Sequence, residues 1–303
     1  MEKQGERLNP LNDFLFLKYM GEKGDEEQLL SFLNAVLKKE GAEPLASVEI
    51  IGNRTLSAEV IGDKSSILDV RAITADGAKV NIEVQLRNTG NMGKRSLFYW
   101  SREYSRGIDS GQDYAELPRV IAINIVNFEY LEIEVFHTCF HLWEDHHRYQ
   151  LTDALEIHFI DMVKYKRYRE KDIHHDPLHR WLTFMDKETG EETIKEVTAM
   201  DIGIWKAQEK IRHISKDKEA LHEYHLREMA LSDWTSAVNF HHREGMQEGI
   251  KEGIKEGRLL EKENMILKSR RKGYSMELMR DITGLTEPEI MEILKRNEQC
   301  QRD

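Results

Sequence analysis

Apolar residues near the start of the chain recur every three or four positions, as they do on one face of a helix. This spacing predicts an amphipathic helix over residues 26–40 with one buried side. A second helix is predicted over residues 11–20, where Asn12 or Asp13 can cap the first turn with a side-chain oxygen. The apolar stripe of the longer helix consists of Leu29, Leu30, Phe32, Leu33, Val36 and Leu37.

The middle of the chain has the pattern of strands. Short runs rich in β-branched and apolar residues are bounded by turn residues, which predicts a β-sheet. The run within residues 117–128 is apolar at nearly every position, as is typical of a strand buried on both faces. A helix is predicted over residues 93–109. The predicted strands cover residues 48–51, 66–74, 79–87, 117–128, 136–142 and 155–162.

The second half of the chain has the spacing of helices. The predicted helices cover residues 181–185, 191–214, 216–234, 265–272, 275–283 and 286–295. The order of the predicted elements is helix, hairpin, helix, further strands and then helices. This order predicts an α/β core with a helical C-terminal extension. The last three helices resemble a helix-turn-helix unit, and basic residues lie in the first of them. DNA binding is one interpretation of this tail, and a small helical packing module is the favoured one.

The dipeptide Glu-Gly occurs four times at intervals of four residues, from Glu244 to Gly257. On a helix this repeat places a row of glycines beside a short row of apolar residues. The row could allow close approach of a second helix, as in self-association. A partly formed helical linker is slightly favoured, because each glycine costs a helix about 1 kcal/mol relative to alanine.

Composition and charge narrow the possible functions. The net charge is −11, which argues against a general nucleic-acid binder but allows a local basic stripe beside an acidic surface. The two cysteines cannot form a disulfide framework. No apolar run is long enough to span a bilayer, and no signal-peptide core is present at the start, so a cytoplasmic location without a membrane partner is expected.

The segment from Asp69 to Gln85 carries the candidate chemistry. Its two predicted strands are joined by a loop at Gly77, and a three-residue loop with this glycine in the left-handed conformation places Asp69 opposite Glu83. A two-residue loop places Val70 there instead. Facing carboxylates repel each other unless a cation lies between them, and Mg²⁺ prefers such ligands. A solvated acidic strand face is the alternative.

Asp69, followed after thirteen residues by Glu83-Val84-Gln85, resembles the D-x(n)-[D/E]-x-K motif of PD-(D/E)XK nucleases, here in an E-x-Q form. A longer ordered set of motifs resembles the Rpn family, the recombination-promoting nucleases that are also described as PD-(D/E)XK nuclease family transposases. The set comprises Leu68-Asp69-Val70-Arg71-Ala72, Asn81-Ile82-Glu83-Val84-Gln85-Leu86, Arg95 with Tyr99, Gly111-x-x-Tyr114-x-x-Leu117-Pro118, Ile123-Asn124-Ile125, Leu155 to Asp161 with Lys164, the Glu-Gly repeat and Thr283-Gly284-Leu285-Thr286.

The resemblance implies a restriction-endonuclease-like fold, a mixed sheet flanked by helices, and a DNA endonuclease that depends on Mg²⁺ or Mn²⁺. It implies that Asp69 and Glu83 are metal ligands and that Gln85 occupies the usual lysine position. The catalytic set would also include Arg95 and Tyr99. A glutamine offers an amide in place of a positive charge, so a catalytically degenerate DNA-binding or interaction scaffold is the alternative function.

Basic residues near this centre are candidates for contact with DNA phosphates. Arg95, Arg102 and Arg106 lie close to one face of the predicted helix. A second basic segment begins at Lys164, continues through Lys166 and Arg167, and includes tyrosines that could stack on bases.

Four regions are expected: a nuclease core (1–175), a helical extension (176–240), the repeat (241–262) and the tail (263–303). A homodimer is expected as well, because cutting both DNA strands needs two active sites or two visits. His137, Cys139 and His141 alternate along a predicted strand. An ordinary strand is favoured over zinc binding there.

Overall fold

The computed structural model describes residues 7–39, 41–51 and 70–300, except for the side chains of residues 298–300. The chain divides into two compact units, Met1–Leu231 and Ser232–Asp303. The strands are β1 (Val48–Ile50), β2 (Val70–Thr74), β3 (Lys79–Gln85), β4 (Val120–Val126), β5 (His137–Trp143) and β6 (Gln150–Asp161). The helices are α1 (Asp13–Met20), α2 (Glu26–Val36), α3 (Met92–Ser105), α4 (Met162–Arg167), α5 (Pro177–Met185), α6 (Glu191–Met200), α7 (Ile202–Ile214), α8 (Lys218–Arg271), α9 (Met276–Thr283) and α10 (Glu287–Cys300).

The first unit is built on a mixed six-stranded sheet in the order β1-β2-β3-β4-β6-β5. Strands β3, β4 and β6 are parallel, while β1, β2 and β5 join the sheet in antiparallel pairs. All seven residues of β4 are buried, as expected for a central strand covered on both faces. The predicted α/β class and the mixed sheet flanked by helices are confirmed.

Helices cover both faces of the sheet. On one face, apolar residues of α1, α2, α5 and α7 form the large core with Val80, Ile82 and Ile123. On the other face, Met92 of α3 packs with Val126 and Phe159 in a smaller cluster. Side chains alternate along a strand, so the residues of β3 and β4 that directly precede and follow Val80, Ile82 and Ile123 point toward α3.

The prediction of one helix over residues 191–214 is wrong. The backbone of Asp201 is extended, and α6 ends before it. Its carboxylate then accepts hydrogen bonds from the amides of Gly203 and Ile204, at 2.8 and 3.3 Å. An N-cap therefore starts a new helix where the apolar spacing alone continues unbroken.

In the second unit, the C-terminal part of α8 packs with α9 and α10 around Ile266, Met279, Ile290 and Leu294. Gly284 ends α9 in the left-handed conformation, with φ 65°. The Thr286 amide donates to Glu289 at 2.7 Å in a capping box at the start of α10. The Glu-Gly repeat lies inside α8, so it is a continuous helix and not a partly formed linker.

The loop between β2 and β3 contains a testable structural requirement. Gly77 has φ +84°, and an added Cβ there would meet no atom within 4 Å. We therefore expect Gly77→Ala to lower the free energy of unfolding by about 1–2 kcal/mol through backbone strain alone. Chemical denaturation measures this change. Gly77→Asn is the control, since asparagine tolerates this conformation, and equal stability of the Ala variant and wild type would contradict the expectation.

Candidate active site

The hairpin of β2 and β3 presents Glu83 to the face of the sheet covered by α3. Val70 pairs with Ile82 across the hairpin. The amide of Thr74 donates to the carbonyl oxygen of Ala78 at 2.9 Å, which closes a three-residue loop. The predicted loop length and register are thus confirmed for the described part of the hairpin.

Asp69 lies outside the described residues, and its role as a metal ligand stays a prediction. In the sequence it directly precedes Val70. The strand partner of Val70 is Ile82, which directly precedes Glu83. If the same register continues by one residue, Asp69 pairs with Glu83.

Glu83 is 2% exposed and lies within an ion pair. Its Oε1 accepts a hydrogen bond from the Arg95 guanidinium at 2.7 Å and another from the amide nitrogen of Gln85. Burial raises the pKa of Glu83, and it outweighs the opposing effects of Arg95 and Gln85. The carboxylate is therefore held in a site that stabilises its charge only in part.

The nitrogen and the oxygen of the Gln85 side-chain amide have different roles. Its nitrogen donates to Glu83, so its carbonyl oxygen faces away from this bond and can accept a hydrogen bond or bind a cation. Gln85 is the last residue of β3 and aligns with Val126 and Asp161 at the carboxyl ends of the parallel strands. Open α/β sheets commonly bind ligands at this edge.

Helix α3 supplies the cation. The side chain of Arg95 is 14% exposed, and its guanidinium lies 5.5 Å from the centre of the Tyr99 ring. Tyr99 thus contacts the guanidinium through a cation–π interaction. The structure brings together Glu83, Gln85, Arg95 and Tyr99, four of the five predicted catalytic residues.

The other two candidate arginines lie later in the sequence than Arg95: Arg102 is in the last turn of α3, and Arg106 directly follows the helix. Arg102 is half-buried, and Arg106 is exposed with Nη1 3.9 Å from Oε1 of Glu103. Glu103 also forms an ion pair with Arg71 of β2. The predicted phosphate contacts of Arg102 and Arg106 stay predictions.

The basic residues of α4 are engaged within the protein. The Nζ of Lys164 is buried, donates to the carbonyl oxygen of Leu131 at 2.6 Å and lies 3.5 Å from Asp161. Lys166 and Arg167 each have acidic partners. Lys166 lies near Asp186 and Glu188, and Arg167 lies 3.0 Å from Glu129. Contacts between these three residues and DNA stay predictions as well.

Asn124 and Ser96 are two further polar residues on this side of the sheet, and the sequence alone did not single them out. Asn124 pairs with Glu83 in the parallel register of β3 and β4. Its amide nitrogen donates to the Ser96 hydroxyl at 2.9 Å and to the carbonyl oxygen of His158 at 3.0 Å. A buried asparagine within an otherwise apolar strand was the available signal, since a buried amide needs partners.

The oxygen donors of the site suit a hard divalent cation. The carboxylate of Glu83 and the amide oxygen of Gln85 are the ligand types that Mg²⁺ prefers, whereas sulfur and imidazole ligands favour softer metals. The described residues of this site thus fit a magnesium-type ion.

Comparison with known protein families also indicates a nuclease fold. The model of a family described as PD-(D/E)XK nuclease family transposase matches residues 10–240, which is most of the chain. Searches of curated proteins and of solved structures gave no match. Within the part of the chain that the structure describes, no helix is both long and apolar enough to cross a membrane.

Proposed function

The chain belongs to the PD-(D/E)XK nuclease family transposases, which supports a nuclease-like function, and we propose that it is a metal-dependent DNA endonuclease of the recombination-promoting (Rpn) type. The observation that carries this proposal is the buried Glu83 on a hairpin strand, held by Arg95 and Gln85. Glutamate is almost never buried this fully unless it is paired, so the pairing of Glu83 with Arg95 and Gln85 needs a reason that a nuclease centre would supply.

Asp69 and Glu83 would hold Mg²⁺ or Mn²⁺, with the amide oxygen of Gln85 as a further ligand or as an acceptor for water. When bound, such an ion polarises a phosphodiester and lowers the pKa of a water molecule. The chain itself supplies positioning and charge: Gln85 orients Glu83, and Arg95 places a guanidinium beside the site, where it can stabilise charge on a phosphate.

The partners and the biological setting form part of the proposal. DNA is the substrate, and Arg102, Arg106 and the basic residues of α4 are proposed to contact its backbone. A homodimer would provide two active sites for the two strands. The cytoplasmic location, the four sequence regions and a role in recombination, transposition or phage defence stay predictions.

Plasmid cleavage tests this function directly. We expect the purified full chain to nick or linearise plasmid DNA with Mg²⁺ or Mn²⁺, and to leave it intact with EDTA. Ca²⁺ should support DNA binding with little cleavage, because it has larger and less regular coordination. Equal cleavage with EDTA and with Mg²⁺ would contradict metal dependence.

Gln85 favours one second candidate function. With an amide at the usual lysine position, the chain could bind DNA without cutting it. Salt-dependent DNA binding together with no cleavage under any of these metals would support this scaffold function. Cleavage gained by Gln85→Lys would then identify the missing charge as the cause.

A further inference from the structure

A second cluster of chemically active side chains lies on the other face of the sheet. Cys139 of the edge strand β5 pairs directly with His158 of β6. His158 aligns with Ile123 of β4, which belongs to the large core, whereas Glu83 points toward α3. The cluster is therefore separate from the candidate nuclease centre.

Three potential metal ligands meet in this cluster, and a fourth, His141, lies next to Cys139. Ligand atoms of Cys139, Glu156 and His158 all lie within 4.8 Å of one another. The Cys139 Sγ is 3.6 Å from the Nε2 of His158 and 3.3 Å from the Nε2 of His141. The His158 Nε2 is 3.0 Å from the Oε1 of Glu156. Ligands around a tetrahedral zinc ion lie about 3.3–3.6 Å apart, given zinc–sulfur and zinc–nitrogen bonds of about 2.3 and 2.0 Å.

The geometry does not suit a cysteine–histidine–carboxylate catalytic relay. In such a relay the thiol and the carboxylate contact opposite nitrogens of the imidazole. Here Cys139 and Glu156 both approach the same Nε2 of His158. Convergence of sulfur, nitrogen and oxygen donors on one point is the arrangement that a metal ion requires.

Both histidines are oriented through their second nitrogen. The Nδ1 of His141 lies 3.2 Å from the carbonyl oxygen of Leu155, to which it can only donate, so its Nε2 carries the free lone pair. The Nδ1 of His158 lies 3.0 Å from the Nε2 of His137. Metal-binding histidines characteristically donate their other N–H to such a partner.

The carboxylate of Glu156 is fixed in the same way. Its Oε2 faces Arg119 at 3.0 Å and Lys39 at 3.2 Å, while Oε1 is directed toward His158. Glu156 and His158 are 1% and 3% exposed, but Cys139 is exposed and gives a path for an ion to enter.

We propose that Cys139, Glu156 and His158 bind one Zn²⁺ ion, that the neighbouring His141 is its fourth ligand, and that His137 orients His158. Four protein ligands are typical of a structural zinc site. The ion would join β5 to β6 at the register shift that follows Phe140, where the strand pairing becomes irregular. Its role is therefore to fix the edge strand of the sheet.

Cobalt substitution tests the site. We expect the reduced full chain to bind one equivalent of Co²⁺ with the visible bands of tetrahedral coordination and a near-ultraviolet thiolate-to-cobalt band. Zn²⁺ should displace it. Cys139→Ser should abolish the thiolate band and weaken Zn²⁺ binding at least about 100-fold, since loss of an outer partner alone costs about 10- to 100-fold.

Matched variants separate this site from other metal binding. Cys300→Ser removes the other cysteine and should keep the band, and Glu83→Gln removes the candidate nuclease ligand and should keep it as well. His146→Ala changes an exposed neighbouring histidine and should leave the affinity unchanged. A band that is absent from wild type, survives Cys139→Ser or disappears with Cys300→Ser would overturn the proposal.

Thermal denaturation gives a second, independent measurement. Zn²⁺ that binds only the folded chain should raise the Tm of wild type and of Glu83→Gln, but not that of Cys139→Ser. His158→Gln should lose most of the shift if it remains folded by circular dichroism. Equal Zn²⁺ shifts for wild type and Cys139→Ser would overturn the proposal, whatever the result of the cleavage assay.

Discussion

Glu83→Gln and Asp69→Asn should each lower metal-dependent plasmid cleavage by at least about 10²- to 10³-fold, a loss comparable to that of one essential transition-state contact. Glutamine has the shape of glutamate but no negative charge to bind a divalent ion. Glu83 is the stronger test, because its carboxylate lies on the described hairpin beside Gln85 and Arg95. Initial rates of plasmid nicking with Mg²⁺ measure the effect.

The controls must separate lost chemistry from lost folding. Glu192→Gln changes an exposed glutamate in the first turn of α6 and should cleave at the wild-type rate. Both active-site variants should keep metal-independent DNA binding in EDTA within a few-fold of wild type, as well as the wild-type circular dichroism spectrum. Wild-type cleavage by Glu83→Gln would remove Glu83 from the catalytic set.

The position of the positive charge in this site has a structural explanation. The resemblance to PD-(D/E)XK nucleases implies a lysine two residues after Glu83, but the chain has Gln85 there. In the structure, Arg95 reaches the same carboxylate from α3, and Tyr99 lies against its guanidinium. The charge that the strand lacks is thus provided by the helix next in the sequence, which supports a functional site despite the altered motif.

Local patterns in the sequence predicted the hairpin and most elements well. The register around Gly77 follows from the turn, because loop length fixes which residues face each other. The apolar run of β4 predicted its burial on both faces. These features depend on residues close together in the chain, so a single sequence contains the information.

Long-range pairings could not be predicted in the same way. Asn124 meets Glu83 only because β4 lies parallel to β3, and His158 meets Cys139 only because β6 lies between β4 and the edge strand β5. The alternation of His137 and Cys139 was visible in the sequence, but half of the cluster comes from another strand. A site assembled across strands becomes visible only when the strand order is known.

Arg95→Ala should destabilise the chain by about 3–5 kcal/mol near neutral pH, a typical cost of removing one partner of a buried ion pair. The variant leaves the carboxylate of Glu83, which is 2% exposed, without its guanidinium partner at 2.7 Å. Chemical denaturation in EDTA measures the change without a contribution from divalent ions. Arg106→Ala removes an exposed arginine directly after the same helix and should change stability by less than about 0.5 kcal/mol.

The pH dependence distinguishes this mechanism from simple loss of packing. Burial raises the pKa of Glu83, and loss of Arg95 should raise it further, so the folded variant binds more protons than its unfolded chain. Stability of Arg95→Ala relative to wild type should therefore fall as pH rises above the ordinary carboxyl range and recover as pH falls. In a Glu83→Gln background, Arg95→Ala should cost only about 1 kcal/mol, because no buried charge is left without its partner. An equal cost in both backgrounds and at every pH would mean that Arg95 stabilises the fold through packing and that its pairing with Glu83 contributes little.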